Sequence, residues 1–121
     1  MIDLKKNLTW IREQNRREKQ AIEARKQRAW QALPTLVQIL LQRDPGISKI
    51  ILFGSLARKN ERLRRDFDID LALSCSPEKY YALVSLMLDV PEFKVDLLDL
   101  ETAKGLLKQR IFEQGIILYE K

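Results

Sequence analysis

Residues 7–32 contain neither glycine nor proline and consist mainly of Gln, Glu, Lys, Arg and Ala. These are good helix formers, so the segment predicts one long helix near the N-terminus. Its apolar residues are sparse, and none occurs between Arg12 and Gln20. A helix that is polar on every side through its middle projects beyond its core, frays or awaits a partner. At the level of sequence these three alternatives stay open.

Turn residues divide the rest of the chain into short elements. Pro34 removes one backbone donor and predicts a kink or a new helix start, and the apolar run after it ends at residues 44–46. Later segments rich in Ile, Leu, Val and Phe predict strands that alternate with helices. The expected strands are 49–53, 68–73, 93–100 and 116–119, and the expected later helices are a short one at 55–58, one starting at Ser76 with Tyr81, Val84, Leu86 and Leu88 as its apolar face, and 102–114.

Composition narrows the chemistry that is available. The 121 residues suit a single domain, and they include no His and one Cys. An intrachain disulfide, a Cys/His zinc site and a catalytic histidine are therefore excluded. Any chemistry must rest on carboxylates, hydroxyls, Lys, Arg or a metal held by oxygen. No segment has the apolar length of a membrane span or signal peptide, so we expect a soluble, cytoplasmic protein with no membrane partner.

The net charge of +5 lies entirely in residues 1–33, which hold nine Lys and Arg against four Asp and Glu. The remaining residues are balanced in charge. One interpretation is a basic arm that binds a polyanion such as a nucleic acid. The other is the solvated face of a long helix, which is the more common meaning of such a charge run.

Paired aspartates mark the most informative strand. Asp68 and Asp70 are two residues apart and therefore point to the same face, while Ile69 and Leu71 point to the other. Adjacent carboxylates repel each other, and a hard cation such as Mg²⁺, which prefers oxygen ligands, would relieve that repulsion. Asp96 on a later strand is a candidate third carboxylate.

Gly54 and Ser55 supply a complementary feature between a strand and a helix start. Backbone N–H groups with no side chain in the way are suited to binding a phosphate. Each feature alone is weak, since an Asp-x-Asp strand is usually an exposed charged face and Gly-Ser is usually a turn. Together, in this order, they predict metal-assisted phosphoryl or nucleotidyl transfer.

Four short blocks extend this pattern, at residues 54–58 (Gly-Ser-Leu-Ala-Arg), 68–71 (Asp-Ile-Asp-Leu), 95–97 (Val-Asp-Leu) and 113–119. Their order resembles the minimal nucleotidyltransferase (MNT) domain of the DNA polymerase β-like superfamily. We therefore expect an α/β (α+β) nucleotidyltransferase fold, with a small mixed β-sheet flanked by helices and a long N-terminal helix. Residues 1–121 would form one domain, with a basic helical extension and first core helix at 1–45 and the catalytic core at 48–121.

The resemblance also implies roles for individual residues. Gly54, Ser55 and Arg58 would bind the nucleotide. Asp68 and Asp70 would bind two Mg²⁺ ions, with ATP as substrate. Asp96 would be the third metal ligand and would activate the attacking hydroxyl.

Two residues depart from the family's pattern. Lys59 stands where the family usually has Gly, and Phe67 stands where it usually has the Ser before the aspartate pair. The loop between the motifs is longer than usual, so strict spacing would select Asp66 and Asp68 as the pair. We prefer Asp68 and Asp70, because the apolar strand stays in register behind them. Asp66 is then an extra ligand or a loop charge, and the Arg-rich loop either assists triphosphate binding or marks weak catalysis.

Short MNT proteins resemble the antitoxins of type VII-like HEPN/MNT toxin–antitoxin pairs. The resemblance implies transfer of AMP from ATP to a tyrosine hydroxyl of a HEPN ribonuclease toxin, in a hetero-oligomer with a toxin dimer. The alternative is a catalytically weak antitoxin that neutralises the toxin by complex formation only. Nucleic acid is then not expected as a direct ligand, and the N-terminal helix, with Leu4, Leu8 and Ile11 at helical spacing, suits docking on a helical toxin.

Overall fold

A computed structural model describes residues 4–59 and 62–121, and within them helices alternate with strands as the sequence predicts. The helices are α1 (Leu4–Arg43), α2 (Pro77–Met87) and α3 (Gly105–Gln114), with a 3₁₀ turn at Ser55–Ala57, and the strands are β1 (Lys49–Phe53), β2 (Ile69–Ser74), β3 (Val95–Asp99) and β4 (Ile116–Glu120).

The four strands form one mixed sheet in the order β3-β2-β1-β4. β1 is antiparallel to both β2 and β4, whereas β2 and β3 are parallel. A parallel pair needs a crossover connection, and α2 supplies it between β2 and β3. The expected α+β class, with a small mixed sheet and a long N-terminal helix, is confirmed.

The main core lies between one face of the sheet and the helices α1 and α2. The buried residues of α1 recur at helical spacing, and Ile69, Leu71 and Leu73 of β2 alternate along the strand, whereas Ala72 is buried in a second cluster on the other face. This packing commits one face of β2 to the core and leaves Asp70 on the other. The buried residues concerned are Ala29, Leu33, Leu36 and Leu40 in α1 and Ile69, Leu71 and Leu73 in β2.

Helix α1 runs through Pro34 without interruption, so the helix does not restart there. Its buried residues begin only at Ala29, and Leu4, Leu8 and Ile11 are 71%, 52% and 46% exposed. The first part of α1 therefore projects beyond the core, which is one of the alternatives that the sequence left open. Although α1 is 40 residues long, no helix in the described part of the chain is long and apolar enough to cross a membrane.

The prediction for the apolar face of α2 is wrong at two positions. Tyr81 and Leu88 are 77% and 78% exposed, while Leu83 and Met87 are buried. Two apolar stripes overlap on this short helix, so helical periodicity alone does not decide between them. The sheet selects the stripe that includes Tyr80, whose hydroxyl donates to the Leu97 carbonyl at 2.8 Å.

Candidate functional site

Three aspartates meet on the face of the sheet opposite the main core. Asp70 of β2 lies in register between Phe53 of β1 and Asp96 of β3. Asp68 precedes Asp70 by two residues, so the two side chains point the same way. All three aspartates are half-buried. The structure thus brings together the three carboxylates that the sequence pattern grouped.

Helix α3 covers only part of this face. A small apolar cluster joins Ile111 of α3 to Ile51 and Ala72, which are paired across β1 and β2. The next position along the same face holds Phe53, which packs against that cluster, and its partner Asp70. Because β-strand side chains alternate, one face carries both the α3 contact and the carboxylates. The aspartates therefore lie on the part of this sheet face that α3 leaves uncovered.

Among the three clustered aspartates, Asp70 has a pKa that is clearly raised. Burial raises its pKa from the ordinary 3.8 to about 6, and the negative charges of Asp96 and Asp68 contribute to the rise. The positive charges of Lys94 and Arg58 act in the opposite direction without cancelling it. Asp70 is therefore a partly desolvated carboxyl group with two carboxylates close to it, and a bound cation would favour its ionised form.

Gly54 lies directly against the Asp70 carboxylate. Its backbone has φ +76°, a region that side chains rarely adopt. A Cβ atom added there would overlap the Oδ2 atom of Asp70. Only glycine lets the strand-to-turn junction approach the carboxylate this closely.

The other predicted nucleotide-binding residues, Ser55 and Arg58, lie in the turn directly after Gly54. Ser55 is the first residue of the 3₁₀ turn, with Gly54 before it as the cap, so the short helix expected at 55–58 is a single 3₁₀ turn at Ser55–Ala57. The backbone N–H of Arg58 donates to the Ser55 carbonyl at 3.3 Å and closes the turn. Arg58 is exposed, and its charge reaches Asp70.

Asp66 differs from the three clustered aspartates. Its side chain is 81% exposed and forms an ion pair with Arg64, at 3.6 Å from Nε to Oδ1. The carboxylates that raise the pKa of Asp70 are Asp96 and Asp68. The geometry thus groups Asp68 with Asp70, whereas Asp66 belongs to the Arg-rich loop.

Lys94 is a site residue that the sequence reasoning missed. Its Nζ lies 3.8 Å from Oδ1 of Asp96, and its charge also acts on Asp70. Lys94 precedes Asp96 by two residues, immediately before β3 begins. The spacing rule that paired Asp68 with Asp70 was the signal that could have found it.

The donor set suits a hard cation, since it consists of carboxylates without His or Cys. In residues 4–59 and 62–121, however, no group of three or more His, Cys, Asp or Glu side chains is arranged to hold a metal ion. The backbones of Asp70 and Asp96 are paired neighbours, and adjacent strands lie about 4.8 Å apart. The backbone pairing therefore keeps Asp70 and Asp96 on neighbouring strands, although their carboxylates do not converge in the described residues.

A cavity of about 850 Å³ is lined by residues outside the aspartate cluster. One wall is α1 between Asn15 and Lys26, and the other is the Arg-rich loop from Arg62 to Asp66. None of the three clustered aspartates lines it. The candidate site is therefore an open sheet face rather than this cavity.

A family model described as "Polymerase beta, Nucleotidyltransferase" matches residues 36–121, which include every residue of the aspartate cluster. The chain belongs to this nucleotidyltransferase family. The projecting part of α1 precedes the matched region. No functionally curated protein matches the chain.

Solved toxin–antitoxin complexes contain chains of similar structure. A complex with AMP-PNP has a chain 26% identical, covering 72% of this chain and 73% of that one with a TM-score of 0.57. A MntA–HepT complex with two aspartate-to-glutamate changes two positions apart contains a chain that is 26% identical. The match covers 70% of this chain and 71% of that one, with a TM-score of 0.56. A complex of a tri-AMPylated HEPN toxin with its MNT antitoxin from Shewanella oneidensis contains a chain that is 25% identical. The match covers 73% of this chain and 69% of that one, with a TM-score of 0.55. The resemblance to MNT antitoxins is therefore confirmed.

Proposed function

We propose that this protein is the antitoxin of a HEPN/MNT pair and transfers AMP from ATP to a tyrosine hydroxyl of its toxin. The observation that carries the proposal is the approach of Gly54 to Asp70, inside a cluster completed by Asp68 and Asp96. Similar chains occur in complexes with a nucleotide analogue and with an AMPylated toxin. These complexes support ATP as the proposed substrate and a HEPN toxin as the proposed partner.

The turn after β1 would bind the phosphates. Gly54 carries no side chain that could block the backbone, and Ser55 begins the 3₁₀ turn. Arg58 is exposed beside the site and adds a positive charge. Phosphate binding by such a turn relies on N–H dipoles and a nearby cation, both of which these residues provide.

Asp68, Asp70 and Asp96 would hold two Mg²⁺ ions. When bound, the ions neutralise phosphate charge and orient the reacting groups. The raised pKa of Asp70 is consistent with this assignment: burial is its largest cause, and the negative charges of Asp96 and Asp68 add to it. Convergence of the carboxylates would follow side-chain rotation within the paired strands.

The transfer would be a nucleophilic displacement of pyrophosphate at the α-phosphorus of ATP. The tyrosine oxygen forms a bond to the α-phosphorus of ATP, the bond from that phosphorus to the bridging oxygen breaks, and pyrophosphate leaves. Asp96, which the family resemblance makes the activating carboxylate, would accept the hydroxyl proton beside Asp70. Lys94 lies next to it, with Nζ 3.8 Å from Oδ1 of Asp96.

The decisive experiment incubates the protein with labelled ATP, Mg²⁺ and the toxin from its own operon. We expect label on the toxin, loss of at least about a thousandfold in rate for the double variant Asp68→Asn, Asp70→Asn, and a normal rate for Asp66→Asn. The Asp66 variant is a matched control because that carboxylate is exposed and paired with Arg64.

Equal labelling by the double variant would refute the assigned site. If the natural protein labels nothing but the double variant still protects cells, the antitoxin acts by complex formation only.

The exposed start of α1 would dock on the toxin. Leu4, Leu8 and Ile11 recur at helical spacing and are substantially exposed. Their exposure on a projecting helix supports an apolar docking stripe. Deletion of residues 1–20 should weaken toxin binding, measured by calorimetry, and leave Mg²⁺-ATP binding unchanged. The reverse result would remove this assignment.

A further inference from the structure

The guanidinium of Arg25 connects α1 to the two strands that carry the aspartates. Its Cζ lies 4.9 Å from the ring centroid of Phe67 and 4.6 Å from that of Phe93. Nη2 donates to the Phe67 carbonyl at 3.0 Å, and Nη1 donates to the Glu92 carbonyl at 3.3 Å. One side chain therefore contacts the segments that lead into both β2 and β3.

These contacts lie next to the aspartate cluster. Phe67 directly precedes Asp68, and Phe93 is three residues before Asp96. The two rings are 6.3 Å apart, and the N–H of Ile69 donates to the Lys94 carbonyl at 3.0 Å. The spacing between the two carboxylate strands is thus set beside Arg25.

Arg25 makes these contacts at some cost. Its Nε is buried and has no hydrogen-bond partner among the described residues. Burying a donor without a partner is unfavourable. A planar guanidinium between two aromatic rings recovers part of that cost by cation–π attraction and also directs two donors at two carbonyls, which an ammonium group cannot do equally well.

We propose that Arg25 is a positioning residue that sets the separation of Asp68 and Asp96 by clamping Phe67 and Phe93. This inference rests on the proposed transferase function. It also accounts for Phe67, which stands where the family usually has Ser: the phenylalanine ring gives Arg25 its platform on β2. The part of α1 before the family-matched region is thereby connected to catalysis.

Arg28 provides a matched control one helical turn away. Its Nε forms a 2.6 Å ion pair with Oε1 of Glu92, so it also attaches α1 to the segment before β3. Its observed partner is the Glu92 side chain, which is exposed. If simple attachment of the helix were all that mattered, Arg25→Met and Arg28→Met would have the same effect.

The test measures AMP transfer and amide hydrogen exchange in Arg25→Met, Arg25→Lys and Arg28→Met. For both Arg25 variants we expect kcat to fall about tenfold or more with KM for ATP within about twofold, because small misplacement of reacting groups costs rate rather than binding. Protection of the Ile69 amide should fall about tenfold relative to the β1 amides. Arg28→Met should change neither quantity.

Two further variants examine the phenylalanine platform. Phe67→Tyr keeps the ring and should retain normal kcat and Ile69 protection, whereas Phe67→Leu should behave like Arg25→Met. Combining Phe67→Leu with Arg25→Met should lower kcat by less than the product of the two single effects, since both variants remove the contact between Arg25 and the Phe67 ring.

The inference is overturned if Arg25→Met leaves kcat and Ile69 protection unchanged, or if Arg28→Met lowers both equally. If Arg25→Met does not fold, Arg25→Lys and Phe67→Leu carry the same measurements. If the natural protein transfers no AMP, the proposed function fails, and Ile69 exchange alone then decides whether Arg25 positions the strands.

Discussion

The two faces of β2 have opposite physical characters. Ile69, Leu71 and Leu73 are fully buried against α1 and α2, whereas Asp70 on the other face is half-buried among like charges. The first face stabilises the fold by removing apolar surface from water. The second face buries Ala72 against α3, but its Asp70 position costs stability, because carboxylates are partly desolvated next to one another. One strand thus carries a buried apolar face and, on its other face, a partly desolvated carboxylate.

The largest expected effect comes from the core face. Leu71→Ala should lower the free energy of unfolding by about 2–5 kcal/mol, because a fully buried leucine leaves a cavity. Urea denaturation measures this change. Leu106→Ala serves as control, since Leu106 is 63% exposed and its removal should cost less than about 0.5 kcal/mol. Similar losses for both variants would contradict the division between the faces.

The junction of the two faces is tested at Gly54. Gly54→Ala should destabilise the protein by about 1–3 kcal/mol and lower the transfer rate, because the new Cβ would meet the Asp70 carboxylate. Gly105 is the matched control: its φ is +65°, but no atom lies within 4 Å of an added Cβ. Gly105→Ala should therefore show backbone strain alone. If both variants are equally stable in urea and equally active, the close approach to Asp70 is not important.

The smallest expected effect concerns pH. Folding raises the pKa of Asp70 from the ordinary 3.8 to about 6, so the folded state binds its proton more tightly than the unfolded state. This group's stabilisation is full below about pH 4 and is lost as pH rises through 6. After allowance for solvent screening of a half-exposed group, the loss is on the order of 1 kcal/mol.

Thermal unfolding in a metal chelator measures this dependence. Between pH 4 and pH 7, Asp70→Asn should lose less stability than the natural protein and should be the more stable of the two at pH 7. Asp66→Asn, which removes an exposed carboxylate paired with Arg64, should follow the natural protein. If stability depended on pH in the same way for all three proteins, the pKa of Asp70 would not be raised by folding.

Local signals predicted most of the architecture. Glycine, proline and strand alternation separated the elements, and the spacing of Asp68 and Asp70 placed both on one face. The same signals misplaced the buried face of α2, where Tyr81 and Leu83 belong to overlapping apolar stripes. Local rules cannot choose between two stripes when only the sheet decides which one is covered.

Contacts distant in sequence were not predictable in this way. Arg25 looked like one more charge on a solvated helix, yet it lies against Phe67, 42 residues later. The same phenylalanine was visible only as a departure from a family pattern. Its partner became apparent when the fold brought α1 beside the start of β2.

The continuity of α1 gives its projecting end a fixed phase relative to the sheet. One residue inserted between Ile11 and Arg25 would rotate the apolar stripe of Leu4, Leu8 and Ile11 by about 100° and advance it about 1.5 Å. Seven residues would advance it about 10 Å but rotate it only about 20° from its original direction. Insertions of different length therefore separate the direction in which this helix presents its end from the distance at which it does so.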